Sequence, residues 1–317
     1  MKKILVTGAL GQIGTELVLK LRNIYGNDAV IASSRRNECP DFIRETGVYE
    51  PLDVMDKKEL ARICDKHKVN YIVHLAAILS AVGEKNPDLA YQININGLYN
   101  VLEVAREKNI SIFTPSSIAA FGPSTPKINV PQVTIQRPTT MYGVTKVAGE
   151  LLCDYYHTKY GMDIRGVRFP GLISYKALPG GGTTDYAVDI FYEAIKNKKY
   201  ASYIGEGTKM DMMYMPDALK SVVTLMEADG SKLINRNAFN ICGMNFAPED
   251  IGAEIKKLMP EFELTYNVDP VRQAIAESWP SSFDDTAARE EWGWKPDYDL
   301  PAMTRDMLEK LSEKLSK

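Results

Sequence analysis

Short apolar, β-branched runs alternate with longer stretches in which apolar positions recur every three or four residues through the first half of the chain. The runs "KKILVTG", "AVIAS", "YIVHLAA", "ISIFTPSS" and "IRGVRFPG" read as strands. Between them "TELVLKLRNIYG", "KKELARICDKH", "YQININGLYNVLEVAREK" and the segment opening "TMYGVTKVAGELL" read as helices. This alternation predicts strand-helix-strand units and a parallel sheet covered on both faces, an α/β doubly wound domain over residues 1–170. After about Arg168 the texture changes to Gly, Pro and Tyr-rich connections, among them "LPGGGTTDY". Helices are expected at "AVDIFYEAIKNKK", "PDALKSVVTLMEA", "PEDIGAEIKKLMP" and "PAMTRDMLEKLSEKL". We read a smaller lobe over 171–317, with parts of 210–245 packing back on the first domain. Such a lobe would fold over the open strand ends, where ligands of doubly wound sheets sit.

Two patterns carry candidate chemistry. "VTGALGQIG" sets Gly8, Gly11 and Gly14 directly after the first strand and ahead of a helix beginning near Gln12. Glycines there allow a tight turn and close approach of the backbone to a pyrophosphate, which the amides around Gln12 and Ile13 and the positive helix end would hold. In "TMYGVTKVAGELL", Tyr142 and Lys146 stand four residues apart, on one face of a helix. A phenol is a poor base near neutrality, and a nearby ammonium favours its ionised form. The spacing by itself fits a solvated helix face with an aromatic packed at its start more readily than such a pair.

The glycine spacing and the Tyr-x-x-x-Lys pair together resemble the short-chain dehydrogenase/reductase superfamily, in its extended, sugar-epimerase-like branch. That resemblance implies a Rossmann-type fold and a bound nicotinamide dinucleotide. It implies that Asp53 and Val54 in "PLDVMD" lie along the adenine, that Leu75, Ala76 and Ala77 line the cofactor, and that Asn94 is the active-site asparagine. Lys146 would also bond the nicotinamide ribose. Ser117, in preference to Ser116, would be the third catalytic group beside Tyr142 and Lys146. At one position the chain departs from NAD-using members: the second strand ends in Ser34-Arg35-Arg36 where an acid is usual. Serine and guanidinium groups would welcome the 2′-phosphate that a carboxylate repels, so NADP is expected to be accepted alongside NAD.

The later segments "RFPGLISYKALPGGGTTDYAVDIFYEA", "MMYMPDAL" and "DPVRQAIAESWPSSFDDTAAREEWGWKPDYDL" resemble the short-chain type of L-threonine 3-dehydrogenases. The implied reaction is oxidation of the threonine β-hydroxyl to 2-amino-3-ketobutyrate. Ser80, Ser117, Tyr142, Thr184 and Trp279 would touch the substrate, and the glycines at 180–182 would allow a mobile loop. Two rival readings are a nucleotide-sugar epimerase or dehydratase of the same superfamily, and a catalytically silent NAD(P)-binding regulator. By the same resemblance the chain is expected to form a homodimer through helices around 94–108 and 142–157.

Composition trims this picture. The 317 residues are 45% apolar and 25% charged with a formal charge of −3, a balance without a footprint for nucleic acid or anionic membrane. No run approaches the length of a membrane span and no signal-peptide core follows Met1, so a cytoplasmic protein is expected. Cys39, Cys64, Cys153 and Cys242 show no CxxC spacing, and His67, His74 and His157 form no i,i+4 pair, so no metal site is expected.

Overall fold

In the computed structural model, residues 2–176 and 182–316 are described. They form two compact units: residues 1–120, 138–168 and 219–239 make the first, and residues 121–137, 169–218 and 240–317 the second.

The first unit opens with β1 (Ile4–Thr7), whose four residues are all buried, as a central strand covered on both faces requires. Helix α1 (Gln12–Tyr25) buries Gly14, Leu17, Val18 and Leu21, the spacing of one helical face. There follow β2 (Val30–Ser34), α2 (Asp41–Arg44), β3 (Tyr49–Pro51), α3 (Lys57–His67) and β4 (Tyr71–His74). Helix α3 starts where the Asp56 carboxylate accepts the Glu59 amide proton and stops where Lys68 turns left-handed at φ 54°. Next come α4 (Ser80–Lys85), α5 (Pro87–Tyr91) and α6 (Leu98–Lys108), with residues 92–97 wound as a π-helix between the last two. The long helix expected over 91–108 is thus interrupted, and Asn94 sits in the interruption. The unit continues with β5 (Ser111–Phe113), β6 (Ser116–Ser117), α7 (Met141–Tyr160), β7 (Ile164–Arg165) and β8 (Val167–Phe169).

Six strands form one parallel sheet in the order β3-β2-β1-β4-β5-β7. The chain builds outward from β1 through β2 and β3, then crosses back to place β4 on the other side of β1. That reversal opens a crevice beyond the carboxyl ends of β1 and β4, the place where doubly wound sheets bind ligands. Leu5, Ile31, Ile72, Val101, Leu102, Ile112 and Ile164 lie in the core against one face.

Beyond Arg168 come β9 (Gly171–Ile173), α8 (Tyr186–Asn197), β10 (Lys199–Ser202), β11 (Met210–Tyr214) and α9 (Met215–Glu227), then β12 (Phe239–Asn240), β13 (Met244–Phe246), α10 (Pro248–Leu258), β14 (Glu263–Tyr266), α11 (Pro270–Ser278), α12 (Thr286–Trp292) and α13 (Leu300–Leu315). In the second unit, β11 pairs parallel with β9 and antiparallel with β13, and β10 pairs parallel with β14. Trp294 is buried there and donates from its indole to the Cys242 carbonyl at 3.2 Å, which anchors the "EEWGWKP" turn.

Candidate active site

The loop after β1 is shaped by contacts that only glycine permits. Gly8 has φ +69°, and a Cβ on it would lie 2.7 Å from the Ala76 nitrogen; a Cβ on Gly14 would lie 2.3 Å from the Gly8 carbonyl oxygen. The first glycine therefore packs the loop onto Leu75-Ala76 at the end of β4, and the third lets α1 begin against the turn. Gly11 is the N-cap of α1, has no side chain to cap it, and leaves the first amides of the helix unmatched by any side chain. Those amides, with Gln12 and Ile13 in the first turn, are a ready receptor for an anion. A dinucleotide pyrophosphate fits this cradle: it supplies the acceptors the helix end lacks and needs the space that side chains would fill.

The other residues expected at the cofactor include those that follow the carboxyl ends of β2, β3 and β4, neighbours of β1 in the sheet. Leu75, Ala76 and Ala77 are half-buried, and the Leu75 amide donates to the Thr7 carbonyl at 3.1 Å, continuing the β1–β4 ladder. Asp53 is exposed and accepts from the Met55 amide at 2.9 Å. Val54 is buried, and its side chain fills the space a Cβ on Gly97 would need. At the end of β2 the Ser34 hydroxyl is engaged locally: it bonds the Tyr49 hydroxyl at 2.8 Å and accepts from the Arg36 amide at 3.2 Å. Arg35 and Arg36 are exposed.

The groups expected to react stand at the start of α7 and the end of β6. Thr140 caps α7 by accepting from the Gly143 amide, so Tyr142 falls in the first turn and Lys146 one turn on. The Lys146 Nζ lies 5.4 Å from the Tyr142 ring centroid and donates to the Pro115 carbonyl at 2.8 Å. Lys146 thus lies over the face of the Tyr142 ring, and it ties α7 to the segment that leads into Ser117. Ser117 is half-buried and its oxygen accepts from the Ala119 amide at 3.2 Å. Ser116 is buried, and its hydroxyl donates to the Glu150 carboxylate. Of the two serines, only Ser117 has a hydroxyl proton still available. The Tyr142 and Ser80 hydroxyls form no hydrogen bond with any described residue.

Asn94 is held by both sides of its amide. Its carbonyl oxygen accepts from the Ile78 amide at 2.7 Å, and its nitrogen donates to the Ile78 carbonyl and to the Thr145 hydroxyl, each at 3.0 Å. The Thr145 hydroxyl in turn donates to the Tyr142 carbonyl at 2.8 Å. Asn94 therefore locks the backbone before Ser80 to α7, and the π-helical turn delivers it there.

Thr184 and Trp279 belong to the second unit. Thr184 lies in a short 3₁₀ turn (Thr183–Asp185), and α11 packs on that turn before ending at Trp279, which is 9% exposed. The Lys127 ammonium donates to the carbonyls of Glu277, Ser278 and Trp279, closing the end of α11. The Thr184 hydroxyl forms no hydrogen bond with a described residue, and α8 begins after Asp185. Of the expected glycine loop, Gly180 and Gly181 lie outside the described residues.

Three groups near the reacting pair went unnoticed in the sequence. His74 ends β4 buried and bonds the Thr7 hydroxyl at 2.8 Å; burial first, and then the Lys146 charge, push its pKa down to about 3, so the ring is neutral. Glu150 and Arg168 form a buried pair, with Arg168 Nη2 donating to Glu150 Oε2 at 2.8 Å and Nε to Oε1 at 3.0 Å. Glu150 stands four residues after Lys146, so the helical spacing that singled out the tyrosine and lysine pointed to it as well. Lys146, Glu150, Ser116, His74 and Asn94 line, together with the 75–77 segment, a cavity of about 40 Å³, room for a water or two.

A switch-point crevice with a glycine cradle at a helix end, and a Tyr-Lys pair beside it, define a dinucleotide-binding α/β protein with oxidoreductase-type groups. The chain belongs to the NAD dependent epimerase/dehydratase family, whose pattern it matches over residues 4–242. It is similar to an uncharacterized epimerase/dehydratase of Staphylococcus saprophyticus, 57% identical over 99% of this chain and 98% of the relative. Among solved structures it resembles the L-threonine dehydrogenase of Clostridium difficile, with 64% identity, a TM-score of 0.97, and 99% and 98% of the two chains covered. A monomeric L-threonine 3-dehydrogenase from a metagenome is 45% identical with a TM-score of 0.93, covering 99% of this chain and all of that one.

Proposed function

We propose that this protein oxidises the β-hydroxyl of L-threonine to 2-amino-3-ketobutyrate, transferring a hydride to a nicotinamide dinucleotide. The observation that carries the reading is the likeness to the Clostridium difficile L-threonine dehydrogenase, which extends over both units. The glycine cradle, Asp53, Val54 and the 75–77 segment hold the dinucleotide, whose oxidised ring supplies the hydride acceptor. Tyr142, in its ionised form, takes the hydroxyl proton as the carbon–hydrogen bond gives up its electron pair, and that proton then passes to solvent. The Lys146 ammonium, over the Tyr142 ring, would stabilise negative charge on the tyrosine oxygen and would bond the ribose of a bound cofactor. Ser117 donates to the substrate oxygen and fixes its direction. Ser80, Thr184 and Trp279 are assigned to the amino-acid head group and side chain. Nicotinamide reduction on adding threonine, followed by absorbance with UDP-glucose as the alternative substrate, tests this. Turnover of the nucleotide sugar alone would replace it with the epimerase reading, and cofactor binding without any turnover would favour a silent regulator.

NADP is accepted as well as NAD in this reading. Arg35 and Arg36 extend into solvent at the end of β2, and no acid stands at the Ser34 position to repel a 2′-phosphate. The Ser34 hydroxyl shapes the turn that presents them. Replacing both arginines by Ala should reduce kcat/KM with NADP about tenfold or more and leave NAD nearly unchanged; equal losses with the two cofactors would remove the proposal. A homodimer is part of the same reading: Tyr99, Val144, Leu151 and Tyr155 leave large apolar surfaces exposed along α6 and α7. Light scattering decides between that and the monomer described for the metagenome relative. A cytoplasmic location completes the reading, to be checked by cell fractionation.

A further inference from the structure

Two neighbouring serines at the end of β6 have opposite surroundings, and the inner one is tied to a buried charge. The Ser116 hydroxyl donates to Glu150, whose carboxylate also receives both Arg168 bonds, and the side chains of Glu150 and Arg168 are only 5% and 7% exposed. One residue earlier, the Pro115 carbonyl accepts from Lys146. Helix α7 is thus joined to the 115–117 segment at two points one turn apart, Lys146 and Glu150. Arg168 lies on β8, the strand between β6 and β12.

A buried ion pair is a poor source of net stability, because desolvation offsets most of the attraction and apolar residues of similar size would hold the elements together as well. What it supplies that a greasy contact does not is direction. Each carboxylate oxygen has fixed donors, so the roll of β6 about its own axis is fixed relative to α7. Side chains alternate along a strand, so holding Ser116 inward turns Ser117 outward.

We propose that Ser116, Glu150 and Arg168 are positioning residues that set Ser117 and Lys146 in register with Tyr142 for the oxidation; the proposal rests on the functional reading above. Without the Ser116 hydroxyl the strand end can roll, and the Ser117 hydroxyl leaves the place where the substrate oxygen must meet it. A displacement of about 1 Å in such a group can cost on the order of 100-fold in rate.

The test uses the cofactor-bound full chain carrying Ser116→Ala, Ser116→Thr or Glu150→Gln. Ser116→Ala should lower kcat with threonine by about 10- to 100-fold while the KM for threonine and the cofactor Kd stay within about twofold, and Ser116→Thr, which keeps the hydroxyl, should recover most of the rate. Glu150→Gln should reproduce the kcat loss and serves if the alanine variant does not fold. A lowered melting temperature with wild-type kcat in Ser116→Ala would mean that the network only supports the fold, and would overturn the proposal. Crystal structures of the wild type and Ser116→Ala add a reading free of turnover: Ser117 and Lys146 should shift relative to Tyr142, and unchanged positions would also overturn it. If the wild type does not oxidise threonine, the functional reading fails, and this structural comparison still decides the positioning role.

Discussion

The two units place their candidate site residues by different physics. In the first, the cradle and the Tyr142–Lys146 pair come from contacts close along the chain: a three-glycine turn, a helix start, and side chains one helical turn apart. In the second, Thr184 and Trp279 stand on elements far apart in sequence, and neighbourhood comes from α11 packing on the 183–185 turn. Local geometry of the first kind tolerates little change, because backbone atoms are the neighbours. Contacts of the second kind depend on how separate elements pack, so a change in either element can shift them.

Several substitutions would break or sharpen this contrast. The largest effect is expected at Tyr142→Phe: kcat should fall by about 100- to 10,000-fold with the cofactor Kd unchanged, measured by steady-state kinetics and by quenching of tryptophan fluorescence. Near-full rate in this variant would send the proton by another route.

Next is Gly14→Ala, which forces a Cβ to within 2.3 Å of the Gly8 carbonyl. The loop must move, and strain of about 1–3 kcal/mol should weaken cofactor binding by about 10- to 100-fold, read by the same titration. A smaller change belongs to the second unit: Thr184→Val removes one hydroxyl and should raise the threonine KM by about two- to tenfold while cofactor affinity holds. Should Gly14→Ala act only on the threonine KM, or Thr184→Val only on the cofactor, the division of labour between the units would be wrong.

A separate contrast concerns stability against pH, and the two units pull in opposite directions. His74 is lowered from 6.5 to about 3 by burial and then by Lys146. Between those values the unfolded chain binds a proton that the folded chain does not, so stability falls as pH drops from about 6.5. Asp211 of the second unit, which accepts from the Asn245 side chain at 2.8 Å and from the Phe283 amide at 2.6 Å, is raised from 3.8 to about 6 by burial. Here the folded chain holds the proton longer, so stability falls as pH rises from about 3.8 to 6. Urea midpoints across this range should lose the acid-side decline in His74→Asn and the opposite slope in Asp211→Asn.

How much of this was legible beforehand follows from how local each feature is. The strands β1, β2, β4 and β5 and the start of α1 at Gln12 could be read because apolar runs and glycine spacing act within a few residues. The π-helical turn at 92–97 could not, since the sequence there continues a helical pattern and the extra residue per turn serves contacts from Asn94 to Ile78 and Thr145. Ser34 illustrates the same limit: its residue type suits a ribose or phosphate, but Tyr49, a neighbour only through the pairing of β2 with β3, engages its hydroxyl. Choosing Ser117 over Ser116 rested on resemblance; the inward bond of Ser116 to Glu150, across 34 residues, could not be read from the sequence.

By itself the sequence determined the doubly wound sheet, the glycine cradle and the helical spacing of Tyr142, Lys146 and Glu150, because each depends on backbone conformation over a handful of consecutive residues. Only the tertiary structure decided which polar groups remain free to act. A hydroxyl or an amide is available or engaged according to partners tens of residues away, and burial then sets whether a group such as His74 can carry charge at all.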